Sequence, residues 1–158
     1  MYLTLSISKQ VLCLFKEERC IREFQVSTAL NGAGEQKNSG KTPRGRHYIR
    51  AKVGADQPLN AVFVGRRFSG EIYSPQLAAQ HPGRDWILTR ILWLCGSELG
   101  RNRLGNVDSM QRYIYIHGTP ETEPMGLPRS HGCIRMRNPE LLELFDLVPV
   151  GTPIQINE

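Results

Sequence analysis

The sequence contains no apolar run long enough to cross a membrane. The longest run, around Trp86–Cys95, is far shorter than the ~20 residues that a spanning helix needs. The first residues also lack the basic start and continuous apolar centre of a secretory signal, because Leu3, Leu5 and Ile7 alternate with polar residues. We therefore expect no membrane insertion, and a cytoplasmic protein if Met1 is the native start. A periplasmic protein whose leader has been removed would have the same pattern.

Metal-binding motifs are also missing. The four cysteines and four histidines form no Cys-x-x-Cys and no His-x-x-x-His pair, which are spacings typical of zinc sites. A site drawing on Cys133, His131 and His117 has no such support, so we predict neither a metal nor another cofactor. Disulfides are disfavoured in a reducing cytoplasm, although Cys13 and Cys20 flank a charged turn and could face one another across a hairpin.

A nucleotide-binding loop is absent as well. The stretch GAGEQKNSGKT places five residues between Gly34 and Gly40, whereas the phosphate-binding motif needs four. Pro43 follows at once, where a helix should begin to donate its amides to phosphate. We expect instead a flexible loop or part of a substrate groove.

The basic residues form no single stripe. The chain has 20 lysines and arginines against 15 acidic residues, a net charge of +5, but the arginines are scattered over several predicted loops and strands. Nucleic-acid-binding proteins gather such charges on one face or helix. The sequence therefore predicts no nucleic-acid partner, while the net charge is compatible with another negatively charged partner.

Short strand patterns broken by glycine, proline and polar clusters make up most of the sequence. Its length of 158 residues, with 40% hydrophobic content, favours one domain over residues 1–158. The fold class is mainly β with one or two helices, because residues 85–99 fit either a strand or a buried helix. The patterns predict a helix at 138–148 capped by Asn138, a loop at 31–45, and strands at 3–8, 11–16, 21–30, 46–54, 60–68 and 112–118.

The strongest chemical signal joins the sequences YIHG and SHGC. His117 ends a predicted strand, and a loop rich in proline and polar residues leads on to Cys133, so the chain can fold back and bring the two side chains together. The thiolate is the reactive form of cysteine, and an adjacent imidazole lowers the thiol pKa by stabilising the ion pair. We predict that Cys133 is a nucleophile and His117 its general base.

The neighbours of Cys133 suggest supporting roles. Gly132 has no side chain, so the N–H groups near Gly132 and Cys133 could bind the oxyanion of a tetrahedral intermediate. His131 is an alternative base, although a structural histidine bonded to the backbone is the favoured interpretation. Arg135 is either a clamp for a substrate carboxylate or a surface arginine.

The sequence also allows an interpretation of one tyrosine and two further histidines. Tyr115 shares a strand face with Tyr113 and His117, and we predict that it contributes to substrate binding. His47 and His81 lie among loop residues without an evident partner, and we interpret both as surface histidines.

These residues resemble the active-site signature of a known family. His117 and Gly118, followed by SHGCIRM from Ser130 to Met136, are similar to the L,D-transpeptidase catalytic domain, the YkuD-like domain. The stretches SISKQVLCLF, VSTALNG, NSGKTPRGRHYI and LFDLVPVGTPIQI also resemble this family in order, so the resemblance covers nearly the whole chain. It implies a mixed β-sandwich with one or two helices, which favours a strand at residues 87–95.

The resemblance also implies roles by position. The family's nucleophile falls on Cys133 and its general base on His117, while Arg135 occupies a position that is commonly asparagine or arginine. A role in shaping the site is implied for the residues around these two: Gly118, Ser130, His131 and Gly132.

Members of this family attack the amide between the L-centre of meso-diaminopimelate and a terminal D-amino acid, and pass the thioester to an amine or to water. The implied partner is a peptidoglycan stem peptide or muropeptide, whose carboxylates Arg135 would hold. With no export signal visible, we expect an L,D-carboxypeptidase of peptidoglycan turnover. The alternatives are a cross-linking or protein-attaching transpeptidase and, in another class, a non-catalytic peptidoglycan-binding module. The resemblance also suggests acylation of Cys133 by carbapenem-type β-lactams.

Overall fold

The computed structural model describes residues 1–158 and consists mainly of strands, which confirms the predicted fold class. The helices are α1 (Pro75–Gln80) and α2 (Asn138–Leu147). The strands are β1 (Tyr2–Ser6), β2 (Val11–Lys16), β3 (Arg19–Gln25), β4 (Gly45–Val53), β5 (Ala61–Val64), β6 (Arg67–Ile72), β7 (Leu88–Gly96), β8 (Tyr115–Gly118), β9 (Ile134–Met136) and β10 (Pro153–Asn157).

The ten strands form one mixed sheet. Its main path has the order β3-β2-β1-β10-β4-β7-β5-β6, and β8 and β9 branch from β7. β1 pairs in parallel with β10, and β8 in parallel with β9, whereas the other pairs are antiparallel. The first and last strands of the chain therefore lie side by side within the sheet.

Alternating side chains build the main core, as the strand pleat requires. Leu3 and Leu5 of β1 are fully buried and lie opposite Leu14 and Leu12 of β2. The same cluster contains residues of the β8–β9 branch and of α2, so the two parts of the sheet enclose one core as in a sandwich: Ile116, Ile134, Met136, Leu141, Leu144 and Phe145. Burial of each such side chain stabilises the fold by about 1.5–3 kcal/mol. This burial holds β8 and β9, which flank the SHGC motif, against the core.

Several predicted elements agree with the structure. The strand predicted at 11–16 is β2, the one at 46–54 is β4 to within a residue, and α2 covers all but the last residue of the predicted helix. Residues 88–96 form a strand, as the family resemblance implied. Neither helix has the length and apolar content that crossing a membrane requires.

Four strand predictions are wrong in extent. The strand predicted at 3–8 is β1, which ends at Ser6, because Ile7 and Ser8 belong to the turn before β2. Residues 60–68 do not form one strand, because Gly65 and Arg66 both have positive φ and make the turn of the β5–β6 hairpin. The strand predicted at 112–118 begins only at Tyr115, since Tyr113 also has a positive φ, 57°. The strand predicted at 21–30 ends as β3 at Gln25.

His47 is not a surface histidine. Its ring is buried (1% exposed), with Nδ1 3.1 Å from the Gly45 carbonyl and Nε2 2.7 Å from Ser109 Oγ. Since a carbonyl only accepts, Nδ1 carries the proton and Nε2 accepts from the hydroxyl. Burial lowers the pKa of His47 to about 4, so this histidine is neutral at pH 7. His81 is exposed, as predicted.

Asn138 does not cap α2 with its side chain. Its amide nitrogen donates to the Thr119 carbonyl at 3.0 Å, and its oxygen accepts from the Thr89 hydroxyl at 2.7 Å. The residue is almost completely buried. Asn138 therefore ties the start of α2 to β7 and to the residue that follows β8.

Candidate active site

The two halves of the sequence motif lie side by side. In the parallel β8–β9 pair, Ile116 is opposite Ile134 and His117 is opposite Arg135. Cys133 immediately precedes β9, so it lies one strand away from His117 and two residues back. A strand spacing of ~4.8 Å and a rise of ~3.3 Å per residue put their Cα atoms roughly 8 Å apart.

The pleat directs the motif to one face of this pair. Ile116 and Ile134 point into the main core, whereas Tyr115 and Cys133 pack with a separate group around Phe63. His117 follows Tyr115 by two residues and therefore shares this second face. The thiol and the imidazole thus occupy the same side of the sheet, on neighbouring segments.

The sulfur of Cys133 makes two hydrogen bonds, and neither is to His117. Sγ accepts from the Tyr115 N–H at 3.4 Å and donates to the Tyr113 carbonyl at 3.3 Å. The residue is partly exposed, yet desolvation of the sulfur raises the pKa of the Cys133 thiol to about 12, and the Asp85 carboxylate adds to the increase. The thiolate–imidazolium pair expected from the sequence is therefore absent, and the thiol is protonated at pH 7.

His117 is held in a defined tautomer. Its Nδ1 lies 2.7 Å from the Gly118 carbonyl, an acceptor, so Nδ1 carries the proton. The ring is buried, and burial lowers the pKa of His117. The neutral ring consequently keeps a lone pair on Nε2, which makes this nitrogen available to accept a proton.

Gly118 is required by its surroundings. A Cβ at this position would lie 2.0 Å from Asn138 Oδ1 and 2.6 Å from the Leu88 carbonyl oxygen. Neither atom has room to move, because Asn138 is buried and hydrogen-bonded and Leu88 is part of β7. Glycine at 118 therefore allows β8, β7 and α2 to approach closely enough to fix the His117 ring.

The turn before Cys133 is stabilised by Ser130. Its Oγ donates to the Cys133 carbonyl at 2.5 Å and accepts from the Gly132 N–H at 3.2 Å. Gly132 has a φ of +132°, a conformation that favours glycine, and its carbonyl accepts from Thr42 Oγ1 at 3.0 Å. Of the two N–H groups predicted to bind an oxyanion, the one of Gly132 is engaged, whereas that of Cys133 has no acceptor in the protein.

Asp85 is part of the site although the sequence did not single it out. Its Oδ2 lies 3.2 Å from His131 Nδ1, and its Oδ1 accepts from Arg135 at 3.1 Å. Burial opposes ionisation of this carboxyl, but at the acidic pH where it titrates the protonated His117 ring and Arg135 outweigh burial and lower the pKa of Asp85. The His131 side chain is 74% exposed and binds a carboxylate rather than the backbone, contrary to the structural interpretation favoured from the sequence.

Arg135 is neither a surface arginine nor an open clamp. Its side chain is 7% exposed, and its guanidinium binds Asp85 and lies 3.5 Å from Glu123 Oε2. A third contact goes to the Arg129 carbonyl at 3.4 Å. Asp85 and Glu123 therefore already contact the guanidinium nitrogens that a substrate carboxylate would need. Arg135 instead neutralises the charge of these two carboxylates beside His117.

The ring of Tyr115 does not line an open surface. It is almost completely buried, and its hydroxyl accepts from Arg66 at 3.0 Å. The Arg66 guanidinium lies over the rings of Tyr113 and Trp93, at 4.5 and 5.1 Å from the centroids. Tyr115 therefore contacts the Cys133 sulfur through its backbone, while the β5–β6 turn packs Arg66 against the outer side of the site.

Two openings flank this region, and His131 borders both. One of about 430 Å³ includes Lys37, Arg112 and Tyr113, whose carbonyl binds the thiol. The other, of about 490 Å³, includes Asp85, Glu123 and Arg135. The first opening thus carries cationic side chains, and the second carries two carboxylates together with arginines.

The glycine-rich loop forms one wall of the first opening through Lys37, Asn38 and Gly40. Arg112 holds this loop by donating to the carbonyls of Glu35 at 3.1 Å and Lys41 at 2.6 Å. The interpretation of residues 31–45 as part of a groove fits this position, whereas a freely flexible loop does not.

Sequence reasoning missed three side chains of this site: Arg66, Asp85 and Arg112. Asp85 offers the one usable signal, since it is an acid directly before the apolar run that became β7. The two arginines belong to a set scattered over the chain, and nothing in their spacing distinguishes them.

Comparisons with known proteins agree with this architecture. The family model described as the L,D-transpeptidase catalytic domain, YkuD, matches residues 1–156. The probable L,D-transpeptidase ErfK/SrfK of Salmonella typhimurium is 53% identical over 45 residues, which are 28% of this chain and 15% of that protein. The putative L,D-transpeptidase YkuD of Bacillus subtilis is 48% identical over 47 residues, 30% of this chain and 29% of that protein.

A solved L,D-transpeptidase from Mycobacterium smegmatis has the same fold, with a TM-score of 0.59 at 19% identity, over 99% of this chain and 58% of that one. The matches thus cover only part of the length of each of these relatives. Because the family model extends over nearly all of the sequence, the chain belongs to the L,D-transpeptidase catalytic domain (YkuD) family, a family of enzymes.

Proposed function

We propose that the chain is the catalytic domain of an enzyme that transfers acyl groups through Cys133, with peptidoglycan stem peptides as substrate. The bond attacked is the L,D amide between meso-diaminopimelate and a terminal D-amino acid. The observation that carries this proposal is the common face of Cys133 and His117 on neighbouring segments, in a chain of the L,D-transpeptidase family.

Both groups are neutral before substrate binds, because burial raises the pKa of Cys133 and lowers that of His117. In the proposed first step, the thiol turns from the Tyr113 carbonyl towards Nε2 of His117. The proton passes from Sγ to Nε2 as the sulfur forms a bond to the carbonyl carbon. The Tyr115 N–H, which already points at Sγ, stabilises negative charge on the sulfur.

The oxyanion that develops on the substrate needs a hydrogen-bond donor. The N–H of Cys133 is free for this role, and the turn that Ser130 stabilises holds it in place before the reaction. When the intermediate collapses, the C–N bond breaks and His117 returns its proton to the departing amine. The products of this half-reaction are the free D-amino acid and a thioester on Cys133.

The second half-reaction depends on what attacks the thioester. Two openings of different charge share His131, two residues before Cys133. They support separate places for two peptides, which favours a peptide amine as acceptor and hence L,D-transpeptidation. The second candidate is the L,D-carboxypeptidase expected from the sequence, in which water is the acceptor. The Cys133 residue is partly exposed although its sulfur is desolvated, and water is the smallest acceptor that can enter beside the thioester.

The test is incubation of the pure chain with a disaccharide tetrapeptide, followed by mass spectrometry. A cross-linked dimer indicates transfer, whereas loss of the terminal D-amino acid without a dimer indicates hydrolysis. Cys133→Ala should abolish both reactions, and Cys20→Ser, which changes an exposed cysteine, should abolish neither. Turnover by Cys133→Ala, or binding of substrate by the unaltered chain without any turnover, would contradict the proposal; the second result would indicate a binding module.

A further inference from the structure

The outer face of the β2–β3 hairpin carries a group of potentially metal-ligating side chains outside the candidate active site. The Sγ atoms of Cys13 and Cys20 and a carboxylate oxygen of Glu23 all lie within 4.8 Å of one another. Cys13 is on β2, whereas Cys20 and Glu23 are on β3. These strands lie at one end of the sheet, and β8 and β9 branch from β7 in another part of it.

A β-bulge brings the two cysteines to the same face. Leu14 is paired with Arg22, but the next residue, Phe15, is paired with Cys20, so β3 has one extra residue at this point. In a regular register Cys20 would be opposite Lys16, on the face that Leu14 buries. The bulge instead places Cys20 opposite Phe15 and therefore on the outer face with Cys13.

All three groups are available for a ligand. Neither thiol is in a disulfide, Cys20 and Glu23 are exposed, and Cys13 is partly exposed. The Cys20 thiol donates to the Arg22 carbonyl at 3.3 Å, a bond that is given up when the thiol loses its proton to bind a metal. The Glu23 carboxylate has no ion-pair partner, and its one hydrogen-bond contact is Cys13 Sγ at 4.0 Å. The neighbouring Arg22 side chain binds the Ile21 carbonyl and Glu143 instead.

We propose that Cys13, Cys20 and Glu23 form a binding site for a thiophilic divalent cation, best satisfied by Zn²⁺, with water as the fourth ligand. Zinc takes sulfur and carboxylate ligands in tetrahedral geometry, and a Zn–S bond of about 2.3 Å puts two sulfurs about 3.8 Å apart. The three atoms therefore need to approach one another by only about 1 Å. Two thiolates select zinc over magnesium or calcium. The proposal departs from the sequence-based prediction that the chain has no metal site.

Binding exchanges two thiol protons, released to solvent, for two Zn–S bonds, and no oxidant is required. The same two sulfurs would also approach in a disulfide. The Glu23 carboxylate, which has no other partner, lies beside the two sulfurs. This arrangement favours a metal, because a disulfide between the sulfurs would make no use of the carboxylate.

The experiment uses the complete, reduced chain with Co²⁺ as a spectroscopic probe. One Co²⁺ per chain should bind with a sulfur-to-cobalt charge-transfer band, and Zn²⁺ should displace it. Cys13→Ser and Cys20→Ser should each remove the band, and should weaken Zn²⁺ binding by more than the roughly 10–100-fold that loss of an outer-shell partner costs. Glu23→Gln should keep the sulfur band and weaken binding. Cys133→Ser is the matched control and should change neither.

Folding of each variant is checked by circular dichroism, and the side chains concerned lie on the outer face, away from the core. Absence of the band in the unaltered chain would overturn the proposal. A band that persists in Cys13→Ser and also in Cys20→Ser would overturn it as well. So would a chain that binds no Co²⁺ when reduced, but whose Cys13 and Cys20 become disulfide-linked on exposure to glutathione disulfide. All these readouts are independent of turnover at Cys133.

Discussion

The Asp85 carboxylate accepts a hydrogen bond from the Arg135 guanidinium at 3.1 Å, across 50 residues of sequence. Arg135 is nearly buried and lies opposite His117 in the β8–β9 register. The pair therefore sets the charge beside the imidazole, and loss of Asp85 leaves Arg135 with Glu123 as its one carboxylate partner.

Replacing Asp85 by Asn should alter both stability and the pH dependence of activity. The free energy of unfolding should fall by about 1–3 kcal/mol, because a nearly buried guanidinium loses a charged partner. The Asp85 charge raises the pKa of His117, so its removal should move the acidic limb of kcat/KM to lower pH. Urea unfolding and a pH profile measure the two effects, and Glu121→Gln, at an exposed carboxylate without an ion pair, is the control. An acidic limb that stays in place or moves to higher pH would contradict this role.

Carbapenem acylation gives a direct readout of the Cys133 thiol. Mass spectrometry should detect one added carbapenem per chain, because opening of the β-lactam ring releases no fragment. Cys133→Ala should prevent the adduct, and Cys20→Ser should leave it intact. His117→Gln should slow acylation by about 10²–10⁴-fold, the usual contribution of a general base. An adduct rate that His117→Gln does not change would remove His117 from the mechanism.

Activity should persist at mildly acidic pH. His117 accepts a proton only when it is neutral, and burial lowers its pKa below the ordinary value of 6.5. Acylation should therefore decline only at a pH below that ordinary value. A decline that begins well above pH 6.5 would show that the essential base is not the buried ring.

Stability should depend on His47 below pH 6.5. The unfolded chain binds a proton at the ordinary pKa of 6.5, whereas the folded chain binds it only near pH 4. Stability is thus fully present above 6.5 and is lost as the pH falls towards 4, by roughly 3 kcal/mol. Urea unfolding of His47→Gln should have a correspondingly flatter pH dependence, and His81→Gln, at an exposed ring, should match the unaltered chain. Equal slopes for His47→Gln and the unaltered chain would disprove the assignment.

Gly118→Ala should be strongly destabilising. The added Cβ would lie 2.0 Å from Asn138 Oδ1, and relief requires a shift of β8 or α2, which should cost about 3 kcal/mol or more. Gly126→Ala is a suitable comparison, because its Cβ meets no atom closer than 3.5 Å and adds only the strain of a positive φ, about 1–2 kcal/mol. Thermal unfolding should rank the two variants in this order, and the opposite order would show that the contact at 118 is tolerated.

Local signals account for the parts of the fold that the sequence predicts. The spacing of Leu141, Leu144 and Phe145 behind Pro139 predicts α2, and the alternation of Leu12 and Leu14 predicts β2. Positive φ at Tyr113 and Arg66 is not encoded in this way. Arg66 lies in the turn of the β5–β6 hairpin, and Tyr113 ends a turn in which its N–H donates to the Met110 carbonyl at 3.0 Å. These turns interrupt the two predicted strands, which are therefore too long.

The sequence also predicts the two central residues of the candidate site, but not the contacts that surround them. Short motifs mark His117 and Cys133, and the β8–β9 pairing places them on neighbouring segments. The charge state of the thiol depends on burial, and the partners of Arg135 depend on contacts with Asp85 and Glu123. Neither quantity follows from residue spacing, so the sequence suggested an ion pair and an open clamp that the structure does not contain.

The parallel pairing of β1 with β10 has a consequence for biosynthesis. Leu3 and Leu5 are opposite Ile154 and Ile156, so β1 must wait for β10, which is synthesised much later, before its pairing is complete. Until then one edge of β1 is unpaired and open to intermolecular association. Folding is thereby deferred until translation of this region is complete, and nascent-chain chaperones have a defined interval in which to shield that edge.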